Sequence, residues 1–319
     1  MSREPKSLQE AIIYFSNPDN CIDYLAIRRW PKGVVTCPTC GSAKVKFRAN
    51  RRTWTCAKHH SKREFSIKVG TVMEDSAIPL DKWLTATWLV TNCKNGISSY
   101  EIARDVKVTQ KSAWFMLHRI RLAMQDDFFG SKLGGNSGEV EVDETYIGGK
   151  ARNMHLSVKQ RRITGRVQDD KTTVMGFMER GGKVRTEIVR DRQKGRVQPM
   201  VRKHVQAGSA LYSDEMGGYK GLQGEYQHQV IDHAVQYVDG RVHTNTLENF
   251  WSLLKRGIAG TYVSVEPFHL FRYLDEQMFR FNNRKDLDDA GRFDLAVSQI
   301  VGKRLTFAQL TGKDGETIH

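Results

Sequence analysis

The sequence predicts a mixed α/β protein, a sheet-centred domain preceded by a small β-unit and a helical region, and three observations carry that prediction. Between Gly33 and Val69, short β-like runs (VVTC, KVKFRA, TWTC, EFSIKVG) alternate with turn residues. Between Pro79 and Met124, apolar residues recur at the helical period in DKWLTATWLVTNCKN and KSAWFMLHRIRLAM. After Gly138 come the strand candidates EVEVDETYIGG, TTVMGFMER and KVRTEIVRD, then helical VQPMVRKHVQ and the strand ALYSDE.

Taken in order, residues 1–32 form a helical segment, with Ile12, Ile13, Phe15, Cys21, Tyr24 and Leu25 at helical spacing. Residues 33–70 form the β-unit and 71–129 the helical region. GSKLGGNSG, from Gly130 to Gly138, has the composition of a linker and opens an α/β domain over 139–310. A β-β-β-α-β order followed by a helical tail from Thr246 predicts a ribonuclease-H-like sheet rather than a doubly wound one. The basic run from Lys150 to Arg166 interrupts that sheet as an exposed loop.

Composition narrows the function classes. The hydrophobic fraction of 39% with 14 Phe, 10 Tyr and 6 Trp suffices for packed cores and excludes wholesale disorder. Lys and Arg number 50 against 36 Asp and Glu, a formal charge of +14. Such an excess fits a polyanionic partner, nucleic acid above all, because basic groups near phosphates release condensed counterions. An anionic membrane would instead call for a basic amphipathic helix or an apolar anchor, and neither is evident. MSREPKSLQEAIIYF lacks the apolar core of a signal peptide and no window has membrane-spanning length, so a cytoplasmic protein is expected. Five cysteines, an odd number that includes a CxxC pair, fit metal ligation in a reducing compartment better than disulfides.

That pair, Cys37 and Cys40, is followed sixteen residues later by Cys56 and then His59-His60, a CxxC-x15-CxxH pattern. Tetrahedral Zn2+ needs four such ligands, and two paired knuckles supply them, so the β-unit reads as a zinc ribbon with structural zinc. His59 is the expected fourth ligand and His60 the alternative. Cys21 and Cys93 fall in helical contexts as core residues. Lys44, Lys46, Arg48, Arg51, Arg52 and Trp54 offer charges and an aromatic ring for phosphate contact and stacking.

SSYEIARDVKVTQKSAWFMLHRIRLAM reads as a helix-turn-helix, with a first helix from Ser98 to about Asp105 and a second entered at Thr109 or Gln110. Ile102, Ala103, Val106 and Val108 pack the turn; Lys111, Ser112 and Arg119 are expected to face DNA. A plain helical hairpin fits the same pattern.

Two acidic residues repeat one geometry. Asp143 ends the alternating strand of EVEVDETYIGG, and Asp214 ends the apolar strand of ALYSDE. Carboxylates at the ends of adjacent strands can share divalent cations, which prefer oxygen ligands and leave room for phosphate oxygens. A third acid comes from HTNTLENFWSLLKRGI, where Thr244 or Asn245 caps a helix whose buried stripe is Leu247, Phe250, Trp251 and Leu254. Glu248 then faces the sheet edge with Lys255 two turns on, while Asn245 could coordinate metal instead. Glu144, Glu215 and His243 lie nearby without an assigned role.

Together, the zinc ribbon, the helix-turn-helix, VDETYIGG, YSDE, HTNTLENFWSLLKRGI and LDEQMFRFNNR resemble bacterial insertion-sequence transposases of the DDE superfamily. The likeness is to the zinc-ribbon group related to Merlin elements, with an ISXO-like transposase domain, and it runs from about Cys37 to about Leu310. It implies a ribonuclease-H-like domain that cleaves transposon ends and joins them to target DNA with Mg2+ or Mn2+. Asp143 and Asp214 match the first two acids, and the third position carries Glu or Asn in this family, followed by a basic residue. Glu248 lies 34 residues after Asp214 and 7 before Lys255, intervals usual for the family, so Glu248 is preferred and Asn245 is kept as the alternative. Lys255, Arg256 and the loop residues Lys150, Arg152, Arg161, Arg162 and Arg166 would grip the DNA backbone. Terminal inverted repeats and target DNA are the implied partners, with a homo-oligomer assembled on them. A non-catalytic DNA-binding regulator derived from such an enzyme shares every basic feature; the acids alone separate the two.

Overall fold

The computed structural model describes residues 4–125, 130–135, 138–148, 156–157, 171–214, 217–231 and 243–313. The chain divides into two compact units, Met1–Gln125 with Asn283–His319, and Asp126–Asn282. The expected 139–310 domain therefore ends early, because the chain beyond Asn282 belongs to the first unit.

In the first unit, α1 (Leu8–Phe15) starts where Ser7 accepts from Glu10 N–H, and α2 (Pro18–Arg29) starts at an Asn17 cap with Pro18 in its first turn. Both follow the rule that a side-chain acceptor satisfies the unpaired N–H groups at a helix start. Three short antiparallel strands follow, β1 (Val45–Arg48), β2 (Thr53–Cys56) and β3 (Glu64–Phe65), in that spatial order. Alternation on β2 buries Trp54 and Cys56. Trp54 packs against Trp30, Phe47 and Phe65, so it is core and not the stacking platform expected from sequence. Phe47, 44% exposed, is the aromatic ring this sheet leaves at its surface.

Helix α3 (Leu80–Asn92) buries Trp83, Leu84, Ala86, Thr87, Trp88, Val90 and Thr91, more than one stripe, as a central helix does. Helix α4 (Ser99–Asp105) has a complete capping box between Ser98 and Glu101. The turn passes through Lys107 at φ +50° before Thr109 caps α5 (Gln110–Ala123).

The second unit is built on a five-stranded mixed sheet: β4 (Glu139–Ile147), β5 (Thr172–Glu179), β6 (Val184–Val189), β7 (Ala210–Asp214) and β8 (Gln227–Ile231), in the spatial order β6-β5-β4-β7-β8. β4, β5 and β6 form an antiparallel meander; α6 (Lys194–His204) then carries the chain across so that β7 pairs parallel to β4, and β8 parallel to β7.

Strand alternation sends the even-numbered β4 residues Val140 and Val142, with Met175 and Phe177 of β5, into one core with Val197, Val201 and Leu211. The opposite face carries Ile147, Val174 and Met178, covered by α7 (Asn245–Gly257) through Leu247, Phe250, Trp251 and Leu254 and by α8 (Leu270–Asn282). A π-helical turn, Ile258–Tyr262, separates these helices. The chain then rejoins the first unit as α9 (Asp289–Ser298) and α10 (Phe307–Thr311). Among the described residues, no helix is long and apolar enough to cross a membrane.

Candidate metal centres and acidic site

Cys37, Cys40, Cys56 and His60 bring their ligand atoms within 4.8 Å of one another. The separations are 3.7 Å for Cys40 Sγ to Cys56 Sγ and 3.5 Å for Cys37 Sγ to His60 Nε2. Tetrahedral zinc with Zn–S near 2.3 Å and Zn–N near 2.05 Å has S–S and S–N edges of about 3.8 and 3.6 Å, so this donor set fits Zn2+. His60, the alternative fourth ligand, lies in the cluster, whereas His59, the expected one, is exposed and outside it. The knuckle admits one extra residue, and the fold of the turn, not the spacing, chooses between adjacent histidines. Zinc content measured by chelator titration should fall from about one per chain to near zero in Cys56→Ser and His60→Ala and stay unchanged in His59→Ala. A zinc-free His59→Ala chain would restore the other ligand. Cys21 is fully buried with Sγ against Phe15 O, and Cys93 is half-buried.

The second cluster lies at the sheet. The parallel register Glu139↔Ala210, Val140↔Leu211 and Glu141↔Tyr212 has an offset of 71 residues, the interval between Asp143 and Asp214. Continuing it by two residues sets these carboxylates level on neighbouring strands, which run about 4.8 Å apart. Asp143, Glu144 and Asp214 each offer an oxygen within 4.8 Å of the others. Glu144 points to the opposite face of β4 from Asp143 and accepts from Tyr219 Oη, whose side chain is buried in the 3-10 turn Gly217–Tyr219 five residues after Asp214. Asp143 and Glu144 lie in the middle of β4, correcting the strand-end place expected for Asp143, and Glu144 had no role assigned from the sequence.

The electrostatics fit a cation site. Burial, with the charge of Asp214, raises the Asp143 carboxyl to about 6, against the pull of its hydrogen bonds. Burial likewise raises Glu144 to about 8, with Asp214 and Asp143 pushing the same way. Burial and the neighbouring charges disfavour the charged forms of Asp143 and Glu144, and a divalent cation relieves that repulsion.

Helix α7 is set on this site by its own strand. Glu141, fully buried, accepts from Thr246 N–H and Leu247 N–H at 3.1 and 3.0 Å and from Arg180 Nε at 3.0 Å. It supplies the cap that Thr244 does not, since the Thr244 hydroxyl accepts from no backbone N–H of the helix start. Glu248 is exposed, accepts from Thr244 Oγ1 at 3.2 Å, and adds its charge to the field at Asp143. Asn245, Lys255 and Arg256 are exposed on the same helix.

Of the residues expected to meet DNA, Lys111 is exposed in the first turn of α5. Ser112 is half-buried, its N–H and Oγ both bonded to Thr109 Oγ1. Arg119 is a correction: its side chain turns inward, donating to Leu305 O and Glu74 O at 3.1 and 2.7 Å, and it is 5% exposed. Packing of the returning C-terminal segment buries the helix face that periodicity alone leaves open. Lys150, Arg152, Arg161, Arg162 and Arg166 lie outside the described residues.

Residues 135–282 match the ISXO2-like transposase domain, and residues 16–60 match the transposase zinc-ribbon domain. A protein of Halobacterium salinarum, described as an uncharacterized protein in transposable element ISH50, is 26% identical over 259 residues, covering 77% of this chain and 84% of that one. An uncharacterized transposase-like protein of Haemophilus influenzae is 30% identical over 102 residues, 32% of this chain and 82% of its own length. The matched spans include both residue clusters just described, the three cysteines with His60 and the three sheet carboxylates, and DNA is the partner such domains imply. The chain belongs to the ISXO2-like transposase family, with a transposase zinc ribbon before its transposase domain.

Proposed function

We propose that this chain catalyses metal-dependent cleavage of DNA at the ends of an insertion sequence and transfer of the freed ends to target DNA. The observation that carries the reading is the convergence of Asp143 and Glu144, midway along β4, with Asp214 at the end of the parallel neighbouring strand β7. The sheet order β6-β5-β4-β7-β8, with an antiparallel meander leading into parallel strands, supports a ribonuclease-H-like catalytic unit.

Asp143 and Asp214 hold the cations, and Glu248 on α7 is the third acid, with Asn245 as the alternative at that position. Mg2+ or Mn2+, when bound, supplies positive charge to the phosphate and acidity to the attacking hydroxyl. The protein's part is positioning: two neighbouring parallel strands fix the carboxylates, and the exposed Lys255 and Arg256 hold the DNA end for in-line attack. Lys111 and Ser112 of α5 act in a helix-turn-helix that reads the terminal repeats within 71–129, beside the zinc ribbon of 33–70. The basic residues Lys150, Arg152, Arg161 and Arg162 add backbone contacts. Two ends must be held at once, so the working form is a homo-oligomer assembled on DNA, in the cytoplasm.

The test is strand transfer in vitro with purified zinc-loaded chain, Mg2+ and a labelled fragment carrying the element's own ends. Joined products that vanish on removing Mg2+ and return with Mn2+ are expected. Tight binding to those ends without cutting or joining would identify a DNA-binding regulator instead, and cutting without joining a nuclease.

A further inference from the structure

The acidic site contains a contact that neither the strand pattern nor the third-acid motif assigns. Trp251 Nε1 donates to Asp143 Oδ2 at 3.0 Å. The indole is 4% exposed, three residues beyond Glu248 on α7, and it lies over β5 at Gly176, the residue paired with Asp143 across the sheet. A Cβ at position 176 would stand 2.5 Å from Trp251 Cζ2 and 2.8 Å from Leu247 Cδ1. The glycine is therefore what lets the ring reach the carboxylate.

We infer that Trp251 is a positioning residue for the metal site: its indole N–H fixes the orientation of Asp143 and so couples the strand-borne carboxylate to the helix that carries Glu248. The chemistry is that of an outer hydrogen bond to a metal-ligating carboxylate. Such a bond leaves one carboxylate oxygen occupied and the other aimed, and its loss typically lowers metal affinity 10–100-fold. A buried tryptophan also finds a partner for its N–H as a matter of course. The distinction is which property of the ring the metal site depends on, the donor or the bulk. This inference rests on the reading of Asp143 as a metal ligand.

Two substitutions separate donor from bulk. Trp251→Phe keeps an aromatic ring and removes the N–H. Trp251→His removes the benzo ring but places Nε2–H where the indole N–H stood, since both atoms occupy the same position in their five-membered rings. The readout is Mn2+ binding to the full-length, zinc-loaded chain, followed by the electron paramagnetic resonance of free Mn2+, with thermal melting beside it. Wild type should bind Mn2+ and Asp143→Ala should lose that binding, which tests the metal-site reading separately. Trp251→Phe is expected to melt close to wild type yet bind Mn2+ about 10-fold more weakly. Trp251→His is expected to melt lower yet bind within about 3-fold of wild type, the donor being retained. Wild-type affinity in folded Trp251→Phe, or equal weakening in both variants, would overturn the assignment. Failure of both variants to fold would assign the ring to the core alone and overturn it too. Absence of Asp143-dependent Mn2+ binding in wild type would remove the site on which the role depends.

Discussion

Asp143→Ala and Asp214→Ala are each expected to lower joined product about a thousandfold, equivalent to roughly 4 kcal/mol of transition-state stabilisation, while binding the terminal repeats like wild type. The size follows from what is removed. Each residue is one of a pair of level carboxylates on neighbouring parallel strands, and loss of either leaves a cation with too few oxygen ligands to hold a phosphate in line. DNA affinity should persist because it rests on phosphate contacts made by basic groups elsewhere. The same assay ranks the third acid. Glu248→Ala should fall with the two aspartates and Asn245→Ala should retain most joining; the reverse order would move the role to Asn245. Joining lost in Glu144→Ala but kept in Glu248→Ala would give it to Glu144, whose oxygen lies with those of Asp143 and Asp214. Equal joining by all variants would remove the carboxylates from the mechanism.

Glu141→Ala is expected to destabilise the second unit by about 3–5 kcal/mol, the usual cost of breaking a buried ion pair by removing one partner. The Glu141 side chain is 0% exposed and that of Arg180 is 15% exposed, so the guanidinium is left largely desolvated. Thr246 N–H and Leu247 N–H lose their acceptor at the same time. Arg180 also donates to His243 O at 2.8 Å and stacks 4.3 Å from the Tyr212 ring, so the disturbance reaches both ends of the network. Thermal melting should show a fall of about 10 °C in the second unit, using about 2–4 °C per kcal/mol for a domain of this size. Glu141→Gln should fall less, because its amide oxygen still accepts from the helix start. An Ala variant melting within a degree or two of wild type would show that water replaces the cap at no cost.

The sequence determined the parts whose chemistry is local. Paired cysteines announce a zinc knuckle because four soft ligands in that order have few other uses. Asp143 and Asp214 were legible because each follows a strand-forming run, and their spacing equals the register offset of the strands; that β4 continues four residues past Asp143 was not legible. The stripe Leu247, Phe250, Trp251 and Leu254 was legible because the helical period writes itself into apolar positions. The tertiary structure decided whatever depends on which face meets another element. His60 rather than His59 joins the three cysteines because the turn aims one of two neighbouring side chains inward. Arg119 is buried because the returning C-terminal segment covers its face of α5, and Glu141 is buried because α7 lands on it. Glu141 sits among alternating strand residues as an ordinary polar position; only a helix start 105 residues later, with two unpaired N–H groups, makes it a cap. Such pairings come from packing between distant segments, and local periodicity carries no record of them.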